Sequence, residues 1–177
     1  MAISATIYKA DINIADMDRH YYQSHEFTIA QHPSETELRM MIRLCAFILN
    51  AHEQLSFTKG LSSDDEPDLW QKSLTDEIEL WIDLGQPEEK RIRKACGRAK
   101  QVIIYTYNKR SANIWWQQQA PKLARFKNLK VIHLDADNIE NLVQKSMSLQ
   151  ANIQDTELYL SNDENNISVI QTPWSLS

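Results

Sequence analysis

IELWIDLGQPEEKRIRKACGRAKQVIIYTY (residues 78–107) decides the fold of this chain. Residues 78–85 read as a strand. Pro87 at N1, Glu88 and Glu89 in the first turn and basic residues towards the end mark a helix over 87–99. QVIIYTY (101–107) reads as a fully buried strand. Together they predict a β-α-β unit with parallel strands and a right-handed crossover. Ligands of open α/β sheets bind at the carboxyl ends of parallel strands, so Asp83 and Tyr107-Asn108 are expected on one edge.

Upstream, residues 68–85 pattern as a hairpin. With its tip at Thr75-Asp76, Trp70 faces Trp81, Lys72 faces Glu79 and Asp68 faces Asp83. The last pair sets like charges face to face and demands a cation. A largely buried helix is predicted to follow Pro33-Ser34. A capping box, Ser34-x-x-Glu37, follows Pro33, and Leu38, Met41, Ile42, Cys45 and Leu49 form the main apolar stripe. Glu35, Arg39 and Arg43 recur along its polar edge at ion-pair spacing.

The N-terminal stretch 3–14 alternates with a parity switch, Ile3, Ala5 and Ile7 against Ala10, Ile12 and Ile14. That switch predicts a strand bulged near Lys9. Residues 21–31, with Phe27 and Ile29 inward, complete a hairpin. Downstream lie a helix through Trp115-Trp116, a strand LKVIHL (129–134) and a helix over 136–145. Antiparallel strands around 149–153, 158–160 and 167–169 continue the N-terminal sheet. The expectation is a single α/β domain over 1–177, a mixed sheet with helices packed on it.

Composition narrows the classes. The chain has 177 residues, within the roughly 100–200 of one domain. Its 42% hydrophobic and 24% charged residues are globular proportions. Only 3 residues are Gly, which argues against phosphate-cradling glycine loops. No apolar run approaches a membrane span, and no secretory signal is visible, so a cytoplasmic location without membrane attachment is expected. Cys45 and Cys96 have no metal-binding spacing and read as buried thiols.

The net charge of −5 hides a segregation. Residues 64–89 hold ten acids and one base; residues 90–130 hold twelve bases and no acid. Carboxylates that hold a cation and cations that hold a polyanion would use such a split. Unevenly charged solvated faces would also produce it.

The expected site lies at the edge named above. Asp68 and Asp83, with a backbone carbonyl and waters, suit Mg²⁺ or Mn²⁺. The helix after Asp83 offers Gln86 and Lys90 in or beside its first turn. A cation held there would activate water and stabilise a pentacovalent phosphate. Arg91 and Arg98 of the same helix, then Lys109, Arg110, Lys122, Arg125, Lys127 and Lys130, are candidates to track nucleic-acid phosphates. Tyr107, Trp115 or Trp116 are candidates to stack on bases.

ATIYKA (5–10), HPSETELRMMIRLCAF (32–47), LSFTKGLSSDDEPDLW (55–70), IELWIDLGQPEEKRIRKA (78–95), YTYN (105–108), NIWWQQ (113–118) and LQANIQD (149–155) resemble the YaeQ family of bacterial proteins over essentially the whole chain. The resemblance implies a variant of the PD-(D/E)XK nuclease-like fold, with extra antiparallel N- and C-terminal strands. Pro67-Asp68 matches the P-D of that pattern, Asp68 being a metal ligand. Asp83 matches its (D/E), with the Leu84 carbonyl as a further ligand. The motif Lys position holds Gly85, a departure, and Lys90 or Lys94 on the following helix is left to supply its function. Glu35 matches the first-helix acid of many members. The resemblance implies metal-dependent phosphodiester hydrolysis of nucleic acid. The alternatives are a catalytically inactive module that binds nucleic acid or a partner protein, and a protein with neither role.

Overall fold

The computed structural model describes residues 4–58 and 65–175; Ile3 and Asp64 lie outside them. The chain forms two compact units: Met1–Leu49 with Ala136–Ile170, and Asn50–Asp135 with Gln171–Ser177.

In the first unit, β1 (Thr6–Asp16) and β2 (Tyr21–Gln31) pair antiparallel in unbroken register. The expected bulge near Lys9 is absent. Tyr8 occupies the inward face with Ala10, Ile12 and Ile14, and Ile7 is exposed. Tyr8 satisfies the inward alternation because its hydroxyl donates to Gln31 Oε1 at 3.2 Å, a polar end on an apolar body. The last strands, β8 (Ser146–Gln154), β9 (Glu157–Ser161) and β10 (Asn166–Pro173), form the expected antiparallel ladder. β8 joins β1 in parallel, however, not antiparallel.

The first helix, α1, spans Glu37–Leu49, with Met40 to Leu49 all buried. Its N-cap is Thr36, whose Oγ1 accepts from Arg39 N at 3.1 Å. The capping box at Ser34 is therefore corrected: Ser34 is taken up by His32, whose Nδ1 lies 2.7 Å from its hydroxyl. Phe47 of α1 meets Phe27 of β2 edge-on at 4.6 Å. The expected helix over 136–145 is only a 3₁₀ turn, Ile139–Leu142. Asn138 ahead of it is left-handed (φ 65°), and the turn buries just Ile139 and Leu142, three residues apart.

In the second unit, the strands lie in the order β7-β6-β5-β4-β3: Leu129–Asp135, Ala99–Thr106, Ile78–Leu84, Leu69–Lys72 and Leu55–Phe57. β5, β6 and β7 run parallel, and β4 and β3 are antiparallel additions. Trp70 faces Trp81 as expected, but a register shift between Gln71 and Lys72 puts Lys72 opposite Ile78 rather than Glu79. Lys72 instead lies 3.9 Å from the Trp70 ring centroid.

The two helices α2 (Glu89–Arg98) and α3 (Lys109–Leu123) cover one face of this sheet. Pro87 is not in α2. Glu88 is the N-cap, and the Pro87 carbonyl accepts the Trp115 indole N–H at 3.0 Å. Ile92 and Ala95 pack with Trp81, Val102, Ile104, Trp115, Trp116 and Val131 into one core. Because β5, β6 and β7 are parallel, Asp83, Thr106 and His133 end on the same edge, where α2 and α3 begin.

Candidate functional site

Asp83 is the next-to-last residue of β5 and is 2% exposed. Its Oδ2 accepts from Trp81 Nε1 at 3.1 Å and from Arg91 Nε at 2.8 Å. Its Oδ1 accepts from Arg91 Nη2 at 3.0 Å. The guanidinium thus grips the carboxylate bidentately, the strongest geometry for such a pair. Arg91 stands in the first turns of α2, eight residues on, where strand end and helix start converge.

Asp68 lies just ahead of β4, and its backbone N–H donates to Ile82 O at 3.0 Å. Its buried carboxylate accepts the Leu84 backbone N–H on Oδ2 at 3.0 Å. Asp68 and Asp83 lie at the same end of the β4–β5 pair, and α2 supplies Asp83 with its cation.

These residues do not fit a divalent ion as arranged. Both oxygens of Asp83 are held by a guanidinium that a metal would have to displace, and one oxygen of Asp68 is held by a peptide N–H. Among the described residues no group of three or more His, Cys, Asp or Glu is arranged for a metal.

The remaining expected residues scatter. Lys94 binds the Asp65 carboxylate at 2.8 Å, drawing its pKa below the usual carboxylate value. Arg98 donates to Asp65 O at 2.8 Å, and Arg91 to Glu66 O at 2.9 Å. The segment Asp65-Glu66 therefore occupies much of the basic surface of α2. Lys90 is exposed and lines a cleft of about 320 Å³ with Glu88, Arg91 and Lys94. Gln86 turns to α3 and donates to Ser111 Oγ at 2.6 Å. Glu35, in the first unit, sits ahead of α1 and is 5% exposed. It is held by Arg39 and Arg43 at 2.8 Å each, the ion-pair ladder read from the spacing.

Trp116 is corrected as a base-stacking residue: it is 9% exposed and stacks on Trp174 at 5.6 Å. Trp115 is buried beside it. Tyr107 is half-buried; Lys109 and Arg110 are exposed at the start of α3. Burial pushes the Cys45 thiol up to about 12 and the Cys96 thiol up to about 11, so neither is a ready nucleophile.

The charge segregation resolves largely within the fold. Arg91 pairs with Asp83, Arg93 and Arg125 with Glu89, Lys94 with Asp65, and Lys100 with Glu77 and Glu79. The acidic block neutralises much of the basic one. Among the described residues, Lys90, Lys109, Arg110, Lys122, Lys127 and Lys130 have no such pair.

Sequence reasoning missed the role of Arg91 as partner of Asp83. The signal was partial: two facing carboxylates that need a cation and a basic helix immediately after one of them, with no mark of which base turns inward.

No helix among the described residues is long and apolar enough to cross a membrane. The family model described as YaeQ protein matches residues 1–171. The chain is 48% identical over 177 residues to the uncharacterized protein YaeQ of Escherichia coli (strain K12), covering 98% of each. The same figures hold for that of Shigella flexneri. It is also similar to the crystal structure of YaeQ protein from Xanthomonas axonopodis pv. citri, with a TM-score of 0.92 and 43% identity over 96% of this chain and 98% of that one. For YaeQ protein from Pseudomonas syringae the TM-score is 0.90 at 31% identity, over 97% and 96%. With a family model spanning nearly its whole length and relatives matched end to end, the chain belongs to the YaeQ family.

Proposed function

We infer that this chain is a PD-(D/E)XK nuclease-like module that binds nucleic acid through its phosphates and does not cleave it. The observation that carries this reading is the bidentate Arg91–Asp83 pair. It places a fixed positive charge where the implied chemistry would need a divalent ion. Gly85 at the motif Lys position agrees with it, since the nearest lysine, Lys90, stands in a cleft with Arg91 and not on the strand. Binding would fall to the cations with no ion pair among the described residues: Lys90, Lys109, Arg110, Lys122, Lys127 and Lys130.

Metal-dependent hydrolysis with Mg²⁺ or Mn²⁺ is the competing reading, and one experiment separates the two. Fluorescence anisotropy with labelled single- and double-stranded oligonucleotides is run in chelator across a salt series. The same samples are then assayed for cleavage with Mg²⁺ and Mn²⁺. The expected result is binding in chelator that weakens steeply with salt, with no cleavage. Cleavage that requires metal and vanishes in Asp83→Ala overturns the reading in favour of a nuclease. Neither binding nor cleavage overturns it in favour of a protein partner or neither role.

A further inference from the structure

One strand beyond Asp83, the parallel register of β6 and β7 sets Thr106 beside His133. Thr106 is fully buried and His133 is 6% exposed. Thr106 Oγ1 lies 2.8 Å from His133 Nδ1 and accepts the Trp174 indole N–H at 3.0 Å. An indole nitrogen can only donate, so it takes a lone pair of the hydroxyl. The hydroxyl's own proton then has one acceptor within reach among the described residues, Nδ1. The network therefore assigns the tautomer: Nδ1 bare, Nε2 carrying the proton. Burial pushes the His133 pKa below its ordinary value, with Asp135 opposing and Lys109 reinforcing that shift, so the neutral ring persists.

With Nδ1 committed to Thr106, Nε2–H is the polar group that His133 has left for a ligand, and His133 lines a cleft of about 140 Å³. Lys109, Asp135, Thr172 and Trp174 complete its walls. Lys109 opens α3, so the positive end of the helix dipole lies at the same place. Trp174 is clamped between Trp116, on which it stacks at 5.6 Å, and the edge of His133 at 6.0 Å. It forms a rigid flat wall. At about 140 Å³ the cleft is well below the roughly 300 Å³ of a drug-sized pocket, so it suits a small head group and what adjoins it.

We propose that this cleft binds a phosphate monoester whose neighbouring group carries a hydroxyl or amino donor, the chemistry of a nucleoside 5′-monophosphate. Lys109 and the His133 Nε2–H take the phosphate oxygens. The Asp135 carboxylate accepts from the adjoining donor, which inorganic phosphate lacks, so the ester is preferred. This site does not depend on the function inferred above. The ligand is either a free nucleotide or the 5′-phosphorylated end of a chain.

The test uses the full chain and follows the His133 ring by ¹H–¹⁵N NMR. The probes are inorganic phosphate, adenosine 5′-monophosphate and one oligonucleotide with and without a 5′-phosphate. The free protein is expected to show the Nε2–H tautomer, and the nucleotide to shift that resonance. Lys109→Met, a surface change that spares the core, should weaken nucleotide binding about tenfold or more, as expected for a lost charge-assisted bond. Asp135→Ala, which removes the acceptor as well as the charge, should tighten inorganic phosphate and bring the nucleotide's affinity closer to it. A 5′-phosphorylated oligonucleotide that outcompetes the free nucleotide identifies a chain end; the reverse identifies the free nucleotide. The site is overturned if no phosphate ester moves the His133 ring at millimolar concentration, or if Lys109→Met binds as the wild type does. The oligonucleotide lacking a 5′-phosphate reports only on the general binding surface, so failure of that reading is seen separately.

Discussion

Arg91 closes on Asp83 through two parallel hydrogen bonds, Nε to Oδ2 at 2.8 Å and Nη2 to Oδ1 at 3.0 Å. Removing one partner of a buried pair leaves an uncompensated charge, here the carboxylate, which is the more buried of the two. Arg91→Ala should therefore cost about 3 kcal/mol in urea unfolding, the low end for a buried pair because Arg91 itself reaches solvent. Arg91→Lys should recover only part, since an ammonium cannot grip both oxygens. The same vacancy should let Mg²⁺ or Mn²⁺ in. Calorimetry should find metal binding in Arg91→Ala and none in wild type or in Arg91→Ala/Asp83→Ala.

Glu35 offers the contrasting case in the other unit. It is buried, and it holds Arg39 and the buried Arg43, whose Nη2 also donates to Ala30 O at 2.9 Å. Here one acid serves two cations, so its loss removes a buried carboxylate from both. Glu35→Gln should cost about 3 kcal/mol in denaturant unfolding. Oligonucleotide affinity should stay within about twofold, since the residue acts in folding.

Which cations meet phosphate follows from which are already satisfied. Lys100 is raised in pKa by its hydrogen bonds to Glu79 and Glu77 and is held in place by them. Lys90 and Arg110 have no ion pair among the described residues. Lys90→Ala and Arg110→Ala should each lower the slope of log affinity against log salt by about 1. Lys100→Ala should leave the slope unchanged. An equal effect of all three would mean that the surface acts only through its overall charge.

Stability should fall on mild acidification. Burial lowers the pKa of both His25 and His133 from the ordinary 6.5. Below 6.5 the unfolded chain binds protons that the folded one refuses, so unfolding free energy rises with pH in that window. The contribution is complete above 6.5 and is lost as pH falls below it towards the folded values. Each histidine can add at most about 1.4 kcal/mol per pH unit. Urea midpoints from about pH 8 to about pH 5 should show this decline, and His133→Asn should show a shallower one.

The β-α-β unit was legible because its signals are local: acids opening a helix, an apolar run too short for anything but a strand. The Trp70–Trp81 pairing was legible for the same reason, although the shift at Lys72 was not, since a single residue of β4 lies beyond it to show a change of parity. Ile7 misled because it continues one parity while the aromatic Tyr8 takes the buried face. At the site, the placement of Asp68 and Asp83 followed from strand direction. Their partner did not, because nothing in a run of five bases within 90–98 says which one turns inward. The Thr106–His133–Trp174 network was out of reach, for it joins three segments distant in the chain.

Gly85 shows why a lysine does not simply fit at this position. β5 ends at Leu84, and Gly85 turns the chain towards α2 with φ +94° while its N–H donates to Tyr105 O at 2.8 Å. A side chain at this φ is strained whatever the space, although a Cβ would meet only Tyr107 Cε1 at an ordinary 3.9 Å. The cost is thus one of backbone conformation and not of crowding. Gly85→Ala and Gly85→Lys should both lose about 1–3 kcal/mol in urea unfolding, by similar amounts. Gly85→Lys should also gain no metal-dependent cleavage of a labelled oligonucleotide, because Arg91 still holds both oxygens of Asp83. If Gly85→Lys alone produced cleavage with Mg²⁺, the Arg91–Asp83 pair would have to yield to metal readily, and the binding-module reading would fall with it.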